Sequence, residues 1–167
     1  MTKGLVRSNK RAAPQRSAVK KVNIPLNAIA LSVVGASGIG FGGVAIAGLP
    51  EGNILILGAV ANVQFTAGAN TTTTWTGSYG IGSALNADTA LSGTDVDIIP
   101  SATVGAATAS VSPMVRSPQG AQSVIDNTDS SKAIYLNLLI DDASISGTTP
   151  VTASGFLSLL YAVLGDD

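Results

Sequence analysis

The chain has no cysteine and no histidine. Without cysteine there is neither a disulfide framework nor a thiolate metal site, so packing alone must hold the fold. Without histidine the commonest general base and the commonest transition-metal ligand are missing. Charge is scarce too: Asp, Glu, Lys and Arg make up 11% of the 167 residues, against roughly 25% in ordinary soluble domains. So little surface charge fits either a membrane or secreted protein or, the preferred reading, a subunit whose surface is largely covered in an assembly.

What charge there is lies unevenly. Of nine basic residues, seven fall in the first 21 positions: Lys3, Arg7, Lys10, Arg11, Arg16, Lys20 and Lys21. All ten carboxylates come after position 50, where only Arg116 and Lys132 oppose them. A basic tail on an acidic, apolar body points to a tail that reaches for something other than its own domain. Residues 1–21 show no apolar periodicity and cannot bury enough surface to offset their ordering entropy alone. The expected organisation is an extended basic arm over residues 1–21, docked on a partner through those seven cations, and one folded domain over 22–167. About 145 residues suffice for a sizeable core.

From Val22 to Pro50 there is no charge. Basic residues before an apolar run can be read as a signal peptide or signal anchor. Gly35, Gly38, Gly40, Gly42, Gly43 and Gly48 dilute the run, however, and the basic region is long for a signal. Two strands, Leu26–Val34 and Val44–Leu49, around a glycine-rich turn fit better. Within that turn, Gly35-Ala36-Ser37-Gly38-Ile39-Gly40 imitates a dinucleotide-binding loop. Pro50 and Glu51 interrupt the helix that should follow, and no acidic residue stands where the ribose contact belongs. The glycines therefore read as turns, bulges or sites of close packing, and no cofactor is expected.

Beyond Pro50, short β-favouring runs alternate with turn residues. The expected strands are Asn53–Leu57, Ala59–Thr66, Thr71–Ser78 around Trp75, Val96–Ile99, Ala102–Val111, Ala133–Ile140 and Val151–Leu164. The last is either one strand with a bulge near Gly155 or a strand followed by a turn of helix. No window carries a sustained 3.6-residue stripe. The fold class is therefore all-β, with a single jelly-roll-like β-sandwich as the preferred architecture.

Catalytic constellations are scarce. Ser130 and Ser131 beside Lys132 form the one nucleophile–base neighbourhood, and they sit in a polar turn. Asp95 and Asp97 would share a strand face, and Asp141-Asp142 follows an apolar strand. Two aspartates do not supply the six to eight oxygens of a calcium site. No metal, small-molecule substrate or enzymatic activity is expected. Nucleic acid is the obvious partner for a basic tail. The arm nonetheless lacks aromatic residues for base stacking, and the acidic body would repel a duplex.

Several segments together resemble structural proteins of tailed bacteriophages, particularly capsid decoration or cement proteins. They are Gly48-Leu49-Pro50-Glu51-Gly52-Asn53, Trp75-Thr76-Gly77-Ser78-Tyr79-Gly80-Ile81-Gly82, Asp97-Ile98-Ile99-Pro100-Ser101, Tyr135-Leu136-Asn137-Leu138-Leu139-Ile140-Asp141-Asp142 and Gly165-Asp166-Asp167. The resemblance implies a β-sandwich on the outer surface of a mature icosahedral shell. It also implies a homo-oligomer, typically a trimer, bridging units of the major capsid protein through an extended terminal segment. It implies no membrane. Two other classes stay open: an internal virion protein whose arm touches packaged nucleic acid, and a fibre, tail or cell-surface adhesion module with the Asn70–Thr74 tip as its contact surface.

Overall fold

A computed structural model describes residues 19–165 apart from 37, 69, 121–122, 130, 143–144 and 146. The chain is all-β. Its strands are β1 (Lys20–Ala36), β2 (Ile39–Gly48), β3 (Gly52–Ala67), β4 (Thr76–Gly82), β5 (Ile99–Thr103), β6 (Val115–Pro118), β7 (Ser123–Asn127), β8 (Ala133–Asp141) and β9 (Gly147–Gly165). All belong to one sheet in the order β5-β4-β8-β2-β1-β9-β3-β6, with β7 continuing beyond β6 along the same edge of β3. The expected two-sheet sandwich does not appear. One continuous sheet curls into a nearly closed barrel.

Alternation explains the curl. β9 points Val151, Ala153, Leu157, Leu159 and Tyr161 inward, all buried. β3 buries Ile54 and Ile56, then shifts register between Ile56 and Gly58, so that Ala59, Ala61, Val63 and Phe65 face in afterwards. Ile134, Leu136, Leu138 and Ile140 of β8 and Tyr79 and Ile81 of β4 complete the interior. Phe65 and Tyr79 meet across it with ring centroids 5.6 Å apart. Outward positions of β3 and β9 mix polar residues such as Asn62, Gln64, Thr152 and Ser158 with apolar ones such as Leu55, Val60, Phe156 and Leu160.

β5 and β6 are the two edges that do not pair with each other, and the chain between them closes the gap. Val104, Ala107 and Ser110 donate their N–H groups to the carbonyls of Gly77, Trp75 and Thr73. The carbonyl of Ser110 then accepts from Ala67, and Ser112 donates to the Phe65 carbonyl. The 104–112 segment thus stitches β4 to β3 at one end. Lower down, Gln119 bonds the Ala59 carbonyl, and Gly120 lies against the ring of Pro100. Pro100 and Pro118 each remove a donor from an edge, which discourages pairing with another strand.

The first hairpin differs from the glycine-rich turn expected there. β1 and β2 are joined tightly near Gly38 at φ 83°, and Gly40, Gly42 and Gly43 lie inside β2. Thr71–Thr74 does not form a strand, β4 begins only at Thr76, and β5 ends at Thr103 instead of running on to Val111. The irregularity expected near Gly155 is real, but the extra residues sit on the partner strand. β1 shifts register between Leu26, which stands opposite Gly155 at φ 133°, and Ile29, and Ala28 inside that irregularity has φ 51°.

Candidate interaction surfaces

Of the seven arm cations, Lys3, Arg7, Lys10, Arg11 and Arg16 lie outside the described residues. Lys20 and Lys21 open β1, and both are exposed. Lys20 stands opposite Tyr161 and Lys21 opposite Leu160 of β9. Of the expected arm, these last two positions thus belong to a strand that is laddered to β9 from Lys20 to Gly35.

Beside this root lies the outer face of β1, β9, β3 and β6. Register places Lys21, Leu160 and Gly58 in one row, Asn23, Ser158, Val60 and Pro118 in the next, and Pro25, Phe156, Asn62 and Arg116 in a third. Phe156 and Leu160 are 37% and 38% exposed, unusually open for large apolar side chains on a sheet. Lys21, Val60, Pro118 and Leu160 border a shallow cleft on this face. None of the four strands carries a carboxylate. The sequence reading missed this face because Phe156 and Leu160 look like core residues until the inward parity of Leu157 and Leu159 is known.

The opposite wall, formed by β2, β8 and β4, is covered by residues 83–98. Its organising residue is Asn137, which points outward from β8 yet is wholly buried. Its amide donates to the carbonyls of Ala84 and Asp95, both at 2.9 Å, and its oxygen accepts the Asn86 N–H at 2.9 Å. The neighbours of Asn137 in its row are Gly43 on β2 and Gly80 on β4. A Cβ at Gly80 would run into Val96, and one at Gly43 would meet Asn137 itself and Leu85. The absent side chains let the flap lie flat.

The flap braces itself as well. Ser83 donates its N–H and hydroxyl to the two carboxylate oxygens of Asp97, at 2.8 and 2.6 Å. Asp95 and Asp97 therefore belong to a folded-over loop and not to one strand face as expected. Burial pushes the Asp95 carboxyl above its ordinary value, the neighbouring charges of Asp88 and Asp97 add to this, and a hydrogen bond to the Ser92 backbone offsets part of it. Leu85 projects from the flap at 48% exposure.

A third corner joins features that are far apart in sequence. Asp142 is buried and accepts the Thr72 N–H at 2.6 Å and the Thr72 hydroxyl at 2.9 Å. It thereby fastens the polar 70–74 tip to the end of β8, above Trp75, which is buried. Asp141 and Asp142 are thus split between solvent and structure. Among the described residues no group of three or more acidic, histidine or cysteine side chains is placed to hold a metal ion.

The remaining sequence candidates take structural roles. Ser130 lies outside the described residues. Lys132 donates its backbone N–H to Asn127 Oδ1 and accepts from Leu49, so it braces the turn before β8. The Gly35–Gly40 motif is the β1–β2 hairpin and not a strand-to-helix loop. Tyr79 is the interior's most buried titratable side chain. Burial raises its phenol above the ordinary value, while nearby Ser117 pulls it partly back.

No protein-family model matches the chain, and no curated protein matches it. These surfaces must therefore be interpreted on their own chemistry. Among the described residues no helix is long and apolar enough to cross a membrane.

Proposed function

We propose that this chain is a structural virion protein that decorates and stabilises an icosahedral phage shell, with its basic arm anchored on the major capsid protein. The observation that carries the reading is that the last two of the seven cations, Lys20 and Lys21, already lie in β1. Tension on residues before Lys20 passes into the β1–β9 ladder, and from β9 into the equally long ladder with β3. An anchor built this way transmits load to the whole barrel and does not peel off a loop. Such a clamp acts by mass action, because a protein that binds only the assembled shell stabilises that shell.

The rest of the molecule is consistent with a passive role. The interior is filled by aliphatic and aromatic side chains, and the buried polar groups Asn127, Asn137 and Asp142 each fasten a loop. The charge-poor outer wall suits a surface covered by neighbours, in keeping with a homo-oligomer such as a trimer on the capsid surface.

The experiment is co-sedimentation of the full-length protein with expanded, genome-free shells of the virus it comes from. Saturable pelleting at a fixed ratio to the capsid protein supports the reading. Failure to pellet, together with duplex DNA binding that falls steeply between about 50 and 200 mM salt, would favour an internal nucleic-acid-contacting role instead.

A further inference from the structure

The two opposite walls of the barrel are complementary in charge. β1, β9, β3 and β6 contain no acidic residue and carry Lys20, Lys21 and Arg116. The flap over residues 83–98 contains no basic residue and carries Asp88, Asp95 and Asp97. Each wall also offers exposed apolar side chains: Phe156 and Leu160 on the strand face, and Leu85 on the flap. In the strand order, β4 and β8 beneath the flap lie half a circuit from β9 and β3.

We infer that a second copy of this chain docks its acidic flap onto the β1–β9–β3–β6 face, so that copies join face to back. Because one copy's face meets a different surface on the next, the contact is heterologous, and it closes into a ring if the rotation permits. Leu85 supplies an apolar contact for the Phe156–Leu160 strip, and Lys21 and Arg116 at its two margins meet Asp88 and Asp95. The mutual repulsion of the flap carboxylates is relieved by those cations, so the contact strengthens where the isolated flap is least comfortable.

A face-to-face dimer is disfavoured by the same inventory. It would set Lys21 and Arg116 of one copy against those of the other with no carboxylate between them. Flap-to-flap pairing would likewise oppose six aspartates, three from each copy. Only the alternating arrangement pairs opposite signs. It does not depend on the shell reading, since it concerns copies of the chain alone.

Sedimentation velocity on the full-length protein at about 50 mM salt tests this, where the screening length is about 14 Å. The face variant K21E/R116E and the flap variant D88K/D95K should each weaken self-association at least tenfold. Mixed together they should associate again in one-to-one alternation and regain the larger species, because the unaltered flap of the first fits the unaltered face of the second and the two reversed surfaces fit each other. All four changes in one chain should restore the larger species, and that restoration also shows that the altered chains fold. Self-association that survives either pair of changes would overturn the proposal, as would a wild-type chain that stays monomeric at 100 µM in about 50 mM salt. Failure to associate again on mixing would overturn the heterologous geometry.

Discussion

Asn137 on β8 takes the backbone N–H of Asn86 on its side-chain oxygen at 2.9 Å, although the two are 51 residues apart. With its amide on Ala84 and Asp95, this one side chain pins both limbs of the flap to the barrel wall. Asn137→Ala leaves three flap backbone groups without partners. It should cost about 3 kcal/mol, lowered to the extent that the flap lifts and rehydrates. Urea unfolding gives the loss, and limited proteolysis should show new cleavage within residues 83–98. Unchanged flap protection would mean that the packing of Leu85 and Val96 holds the flap without the asparagine.

Gly155 is required by its backbone. At φ 133° it occupies a region closed to L-residues, and a Cβ there would collide with the Asn62 carbonyl on β3. Gly155→Ala should destabilise the chain by about 3 kcal/mol, read from the thermal or denaturant midpoint. The same change at exposed Gly48, where a Cβ would meet nothing within 4 Å, should be nearly neutral and serves as the control.

Asp142 fastens the 70–74 tip. Removing a buried carboxylate that accepts two bonds from Thr72 should cost roughly 2 kcal/mol. Asp142→Ala should speed amide exchange across residues 70–75 well before global unfolding. Thr72→Val, which removes the hydroxyl's bonds to Asp142 and to the Thr74 carbonyl but keeps the Thr72 N–H bond, should give a smaller loss in the same place.

Asp95 has a pKa raised in the fold, so protonation favours the folded state. Its unfavourable contribution is present in full above the raised value and disappears as pH falls through it toward the ordinary 3.8. Asp95→Asn in the dilute monomer should therefore be more stable than the parent at neutral pH. The difference should shrink in that acidic window. A variant less stable than the parent at pH 7 would show that the Ser92 backbone bond outweighs burial and repulsion.

Much of the strand content was legible in the sequence. Ala133–Ile140 and Val151–Leu164 fall inside β8 and β9, because a half-buried strand declares itself by apolar alternation. β6 and β7 were not legible. Val115–Pro118 and Ser123–Asn127 are short, polar and paired to β3 on one side only, so little of their length needs to be apolar. Barrel closure was hidden for another reason: alternation shows that one face is buried, not which strands are neighbours. Asn137 inside an apolar strand was visible as an oddity, but its use depends on Gly43 and Gly80 flanking it across two other strands. Of the interaction surfaces, the clustering of cations before β1 was plain. The apolar strip beside them was not, since Phe156 and Leu160 declare themselves outward only through register.

The central claim is that the arm anchors the barrel to a shell. It is tested most directly by comparing the full-length protein with a full-length variant in which Lys3, Arg7, Lys10, Arg11 and Arg16 are all changed to Gln. Both would be titrated onto expanded, genome-free shells and pelleted. The barrel is untouched in this variant, so its unfolding midpoint should match the parent. The account predicts saturable binding of the parent and at least tenfold weaker binding of the variant. Equal binding of the two would contradict it.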